Sequence, residues 1–211
     1  MINSTKKTVI MVHGLWMTGW EMGWLARNFI KLDYEVIFFR YPTVKIDLTK
    51  NIERLAILLN KTKRPYFLFC HSLGGLLALH TLHNNQEIKK IRIIAAGTPF
   101  MGSHTARKIA KIPWIGSKLL GGSMDQALLH GGPKSIPNNV ELGIIAGNNC
   151  VGVSRLFFSP PLPNDGTVAV AETKLDTAHH IEVNNNHMGL VFSQEVVELS
   201  HKFFTYGNFN K

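Results

Sequence analysis

The sequence predicts an α/β fold: a doubly wound, mostly parallel sheet with helices on both faces, forming a single domain over residues 1–211. Three observations carry this reading. Short apolar runs alternate with amphipathic stretches along nearly the whole chain. Several runs are continuously apolar, as strands buried on both faces of a parallel sheet are. The connections between runs hold ten or more residues, long enough for helical crossovers between parallel neighbours.

The elements follow in order. A first strand is expected at residues 8–12, then a helix marked by Trp20, Trp24 and Phe29. A second strand at 35–40 leads to a helix in which Leu48, Ile52, Leu55 and Leu59 recur at steps of four, three and four. That spacing makes one apolar stripe, and Asp47 stands where an N-cap belongs. A third strand at 65–69 ends in a tight turn, and a helix-like run follows over 76–82. Strands at 91–96, 141–146 and 178–183 complete the sheet. The last helix repeats the four-three-four steps with Phe192, Val196, Leu199 and Phe203.

Two segments break the alternation. Residues 101–139 hold no clear strand and are long enough to form a lid or cap. Residues 148–163 end in Ser159-Pro160-Pro161-Leu162-Pro163, where proline removes the amide hydrogen and fixes φ. This reads as a stiff loop presenting Asp165.

Composition narrows the function classes. A chain of 211 residues with 45% apolar side chains can bury a proper core as one domain. The N-terminal residues 1–7 are short and polar, and the apolar run after them is too short for a signal-peptide core. No stretch is long and apolar enough to span a bilayer. A cytoplasmic location is therefore expected. The two cysteines, Cys70 and Cys150, make no disulfide framework and read as free thiols. The net charge of +9 reads first as solubility. Lys61, Lys63, Arg64 and Lys89, Lys90, Arg92 fall at strand entrances and are expected to be solvated loop ends. With no recognised nucleic-acid motif, a nucleic-acid partner is not expected.

The residues that carry chemistry gather at the predicted carboxyl ends of strands, where ligands bind in such sheets. Cys70-His71-Ser72-Leu73-Gly74-Gly75 places a serine in a tight turn between strand and helix, a nucleophile elbow. The positions two before and two after the serine must be small, because the helix folds back over the strand. Gly74 meets this. Cys70 stands where glycine is usual, and it is small enough to be tolerated. Elsewhere in the chain come Val12-His13-Gly14-Leu15-Trp16, Gly97-Thr98-Pro99-Phe100-Met101-Gly102-Ser103, Asn164-Asp165-Gly166-Thr167 and Asn186-His187-Met188-Gly189.

This set resembles the α/β-hydrolase superfamily, and within it the small bacterial lipases and lipase-like esterases, over roughly residues 8 to 204. The chain order serine, acid, histidine is the order that fold uses. A serine hydroxyl needs a base, and the base needs an orienting acid. Ser72, His187 and Asp165 are the expected nucleophile, base and acid, with no metal and no cofactor required. Taken alone, Asp165-Gly166 also reads as a plain turn, and Asp176 is the rival acid. His13 is structural by the resemblance, and His71 is too constrained within the elbow to serve Ser72 as a base. His179 and His180 point to opposite faces of a strand and cannot share a metal. The oxyanion donors are expected to be the amides of Leu73 and Leu15, with Trp16 as the alternative. The segment from Gly97 to Ser103 is similar to one in many lipase-like members, and Trp16, Phe100 and Met101 are expected to bind substrate.

The resemblance implies an esterase or lipase acting on ester or acyl-lipid substrates. The same machinery also serves a thioesterase or an acyltransferase, and a hydrolase fold kept for binding is a third reading. Residues 106–120 mix Arg107, Lys108, Lys111 and Lys118 with Ile109, Ile112, Trp114 and Ile115. Such a segment can pack as an ordinary insertion, cover an acyl pocket as a lid, or make peripheral contact with an anionic membrane.

Overall fold

A computed structural model describes residues 6–45, 47–63, 65–112, 127–151 and 160–210 of the chain. Six strands form one sheet: β1 (Lys7–Val12), β2 (Tyr34–Phe39), β3 (Tyr66–His71), β4 (Ile91–Ala96), β5 (Val140–Gly147) and β6 (His179–Val183). Their order is β2-β1-β3-β4-β5-β6, and every neighbouring pair is parallel. The helices are α1 (Gly23–Lys31), α2 (Leu48–Lys61), α3 (Leu73–Asn84), α4 (His104–Ala110), the short α5 (Val170–Thr173) and α6 (Gln194–Tyr206). Each predicted strand is present, with no end displaced by more than two residues.

The two faces of the sheet bury separate cores. Alternate side chains of β1 divide between them: Ile10 and Val12 join Leu55, Leu59, Leu76 and Leu79 of α2 and α3. Val9 and Met11 join Leu25, Phe29, Val196 and Phe203 of α1 and α6. The period of two along a strand thus produces the double winding. Among the described residues no helix is long and apolar enough to cross a membrane.

Local signals set the helix ends. The Asp47 side chain accepts the Lys50 amide at 3.0 Å, capping α2 as its position predicts. In the last helix Ser193 is the cap, and it accepts the Val196 amide at 3.4 Å. Phe192 therefore precedes the helix and is half-exposed, so the buried stripe runs through Val196, Val197, Ser200, Phe203 and Phe204 instead.

Arg92 corrects another expectation. It stands opposite Glu141 in the β4–β5 register and pairs with it at 2.6 Å. Its guanidinium also donates to the carbonyls of Phe204 and Thr205 at 2.8 and 2.9 Å, which closes the end of α6. Lys90 binds the same carboxylate at 2.5 Å. Arg92 thus ties β4 to β5 and to the last helix, while Lys90 pairs with Glu141 from a mostly exposed position. Arg92→Met is expected to lower stability by about 1–3 kcal/mol, since charge-assisted hydrogen bonds to two helix-end carbonyls are lost. Urea denaturation of the purified protein measures this.

Candidate active site

All the carboxyl strand ends lie on one side of the sheet, and a cavity of about 220 Å³ opens there. Ser72, His71, His187, Leu15 and Trp16 are among its walls.

Ser72 follows β3 directly and has φ 52° and ψ −120°. A non-glycine residue held at positive φ is strained, and the surroundings must fix it. The Ser72 amide donates to the Ala96 carbonyl at 2.9 Å. The Ser72 carbonyl accepts the Gly75 amide at 3.0 Å and the Thr98 hydroxyl at 2.9 Å. Helix α3 then returns so close to β1 that a Cβ on Gly74 would collide with the Val12 carbonyl oxygen and stand 2.7 Å from that of His13. Cys70 is fully buried at the opposite side of the turn, and burial pushes its thiol up, away from the reactive thiolate.

Asp165 is 1% exposed. One carboxylate oxygen accepts the amides of Thr167 and Val168 at 2.9 and 2.7 Å. The other accepts from His187 Nδ1 at 2.6 Å. This leaves Nε2 of His187 as the free ring nitrogen. The His187 amide donates to the Asp165 carbonyl at 2.8 Å, so backbone and side chain of the acid both grip the base. Asn164 braces the loop by donating to the Pro160 carbonyl at 3.0 Å and accepting the Gly166 amide at 2.8 Å. Gly97 has φ 60°, and a Cβ there would press on the His187 ring at 3.1 Å. The Ser72 hydroxyl and the His187 ring face the same cavity without a hydrogen bond between them, an open arrangement common in unliganded sites. Asp176, the rival acid, lies exposed ahead of β6, at the opposite end of the strands.

The loop after β1 is held from several sides. The Tyr41 hydroxyl donates to the His13 carbonyl at 2.8 Å. The Thr43 hydroxyl accepts the Trp16 amide at 3.1 Å, with Trp16 at φ 60°. That bond occupies the alternative oxyanion donor. The amides of Leu15 and Leu73 have no hydrogen-bond partner among the described residues. Burial lowers the basicity of His13, whose Nδ1 donates to the Gly14 carbonyl at 3.1 Å; it is a structural histidine.

The segment from Gly97 to Ser103 divides its labour differently from the expectation. Pro99 and Ser103 reach the cavity wall. Phe100 does not: it is fully buried in the core with Leu76 and Leu128. Met101 is half-exposed beside Lys134 and is also absent from the described walls. The tight turn after Gly97, with the Phe100 amide bonded to the Thr98 carbonyl, carries these two side chains away from the cleft. Trp16 does line the cavity, at 56% exposure.

The first helix of the expected lid, α4, is built into the wall through Thr105, Ala106 and Ile109. Ser103 caps it by accepting the Ala106 amide at 3.1 Å. Two contacts fasten it to the acid loop: the Thr105 hydroxyl donates to the Thr167 carbonyl at 2.6 Å, and the His104 amide donates to Glu172. Arg107 pairs with Glu172 at 3.4 Å, while Lys108 and Lys111 are exposed on the outer side. Trp114, Ile115 and Lys118 lie outside the described residues. Thr43, Thr98 and Glu172 are supports that the sequence reading missed. The first two follow carboxyl strand ends, which is the one signal that could have found them.

A family model described as "Alpha/beta hydrolase family" matches residues 9–184. The chain belongs to the alpha/beta hydrolase family. No curated protein sequence matches it. Solved structures share the fold at low identity. The ydeN gene product of B. subtilis is 16% identical with a TM-score of 0.65, over 95% of this chain and 100% of that one. MGS-MChE2, an alpha/beta hydrolase enzyme from the metagenome of Mar Chica lagoon sediments in Morocco, is 17% identical with a TM-score of 0.66, over 95% and 91%. The type II thioesterase BorB from the borrelidin biosynthetic cluster is 12% identical with a TM-score of 0.64, over 96% and 93%.

The elbow leaves no room for a methyl group at Gly74, because the neighbours are backbone carbonyls that cannot step aside. Gly74→Ala is expected to lower stability by about 3 kcal/mol, at the upper end of overpacking costs. Chemical denaturation followed by circular dichroism checks it.

Proposed function

We propose that this protein is a serine hydrolase cleaving carboxylic esters of neutral, apolar acyl groups through an acyl-enzyme on Ser72. The observation that carries the reading is the buried Asp165–His187 pair at 2.6 Å, opening onto the same cavity as the strained Ser72. In the proposed reaction His187 Nε2 takes the hydroxyl proton as Ser72 Oγ attacks the ester carbonyl carbon. Asp165 stabilises the imidazolium that forms. The oxyanion is received by the Leu15 and Leu73 amides. Collapse breaks the bond to the leaving alcohol, and His187 returns the proton to it. Water, activated by the same histidine, then releases the acid and restores Ser72.

The walls support the choice of substrate class. Leu15, Met17, Ala106, Ile109, Leu128 and Val168 are apolar, and no Asp, Glu, Lys or Arg is among the described lining residues. The Thr105 hydroxyl gives its proton to the Thr167 carbonyl, and Ser103 Oγ accepts the Ala106 amide. A charged acyl group would therefore enter without a charged partner among the described wall residues, at high desolvation cost. Structures of the same fold include a pyrethroid hydrolase from Sphingobium faniae and the type II thioesterase above.

Ser72→Ala is expected to lower hydrolysis of a short p-nitrophenyl ester on the order of 10⁴-fold, and to abolish labelling by a fluorophosphonate probe. Asp165→Asn should lose most activity, whereas Asp176→Asn should keep it. Wild-type turnover in Ser72→Ala would remove the basis of the proposal. A smaller effect is expected at Thr43. Thr43→Val deprives the Trp16 amide of its acceptor and lets the oxyanion loop shift, lowering kcat roughly tenfold, while Thr43→Ser recovers most of the loss. Steady-state kinetics on the same ester separates the two variants.

A further inference from the structure

His71 is the last residue of β3 and the covalent neighbour of Ser72. Strand alternation turns Cys70 toward α2 and α3 and His71 toward the face where His187 sits. The side chain is 1% exposed. Its Nε2 lies 3.0 Å from the carbonyl oxygen of His187, and its ring centroid lies 4.7 Å from that of His187. A carbonyl only accepts, so Nε2 carries the proton and Nδ1 is the bare nitrogen. Nδ1 has no hydrogen-bond partner among the described residues and is packed beneath Gly14, where a Cβ would stand 3.0 Å away.

These contacts bear on how the base is held. The His187 amide is fixed by the Asp165 carbonyl, and its ring by the Asp165 carboxylate. The carbonyl side of the residue is fixed by His71 alone among the described residues. Asp165 belongs to the loop after β5, two strands from the nucleophile in the sheet order. His71 shortens that path: one side chain bridges the nucleophile's own strand to the backbone of the base.

We propose that His71 is a positioning residue that sets the distance between Ser72 and His187 through its Nε2–H bond to the His187 carbonyl. This rests on the reading of Ser72 and His187 given above. The bond requires a proton on Nε2, and the surroundings keep the ring in the neutral form that carries it there, with Nδ1 bare. Burial first, and the adjacent His187 second, lower the His71 imidazolium to about 3, with His13 acting in the same direction and Asp165 against it. His71 therefore stays an uncharged donor over the range where an ordinary histidine takes up a charge. It also adds no second positive charge beside His187 when that ring becomes an imidazolium.

The test compares His71→Phe, which keeps the ring and removes the donor, with His71→Gln, whose amide nitrogen reaches near the position of Nε2. Two rates are read: ester turnover, and labelling by a fluorophosphonate, in which Ser72 oxygen bonds phosphorus, fluoride leaves and His187 takes the proton. His71→Phe should lower kcat and the labelling rate about 10- to 100-fold, the scale of an ångström-level misplacement, with KM within about twofold. His71→Gln should recover most of that loss. Equal loss in both variants, or a full rate in His71→Phe, overturns the proposal. Thermal melts accompany both variants. If His71→Phe does not fold, nitrogen-15 NMR of histidine-labelled wild-type protein decides. His71 should carry its proton on Nε2 throughout about pH 5 to 8, and a neutral ring protonated at Nδ1 instead, with Nε2 bare, overturns it. Failure of the wild type to label at all would instead sink the assignment of Ser72, and the NMR measurement would still judge the His71 bond.

Discussion

A single strained residue organises the active side of this molecule. Ser72 sits at φ 52°, a conformation that a side chain rarely adopts without being held. The restraint comes from β4 through Ala96, from the turn after β4 through Thr98, and from α3 through Gly75. Gly74 lets α3 lie against the carbonyls that end β1, so the turn stays tight enough to raise the serine above the sheet. Each contact is ordinary by itself. Together they over-determine one backbone angle, and the hydroxyl position follows from it.

The remaining machinery is placed by the sheet order. With β4 between β3 and β5, and β6 beyond them, the loops after β5 and β6 meet above the end of β4. Gly97 clears the space beneath His187, and Asp165 closes around it from the side. The wall opposite is α4, which Thr105 and Glu172 fasten to the acid loop. The acid, the base and the cleft wall thus form one connected unit. The Asp165 loop therefore touches both the His187 imidazole and the helix that walls the cavity.

The chain identifies its chemistry and its wall residues with unequal clarity. Ser72, Asp165 and His187 were readable because each stands in a local pattern at a predicted strand end, and because strand ends converge in a parallel sheet. The structure sets Ser72 and His187 on one cavity wall, with Asp165 buried behind His187. Phe100 and Met101 were misplaced because they belong to an irregular turn. In a strand, side-chain direction follows from parity; after Gly97 it depends on how the turn closes against α5 and residues 127–132. Arg92 was misread for a related reason. A basic residue at a strand entrance looks solvated until the neighbouring strand supplies Glu141 and the last helix supplies two open carbonyls.

The sequence alone determined the elements, the double winding, the elbow and the three side chains that the proposed reaction would use. These rest on short-range regularities: the period of a strand, the period of a helix, and the small residues a tight turn demands. Only the tertiary structure decided which groups hold those side chains in place. Thr43 on the oxyanion loop, Thr98 on the elbow, Glu172 on α4 and His71 on the base all act across distances in sequence of 26 to 116 residues, or from one element to another. Such contacts are set by strand order and register, and no local pattern encodes them.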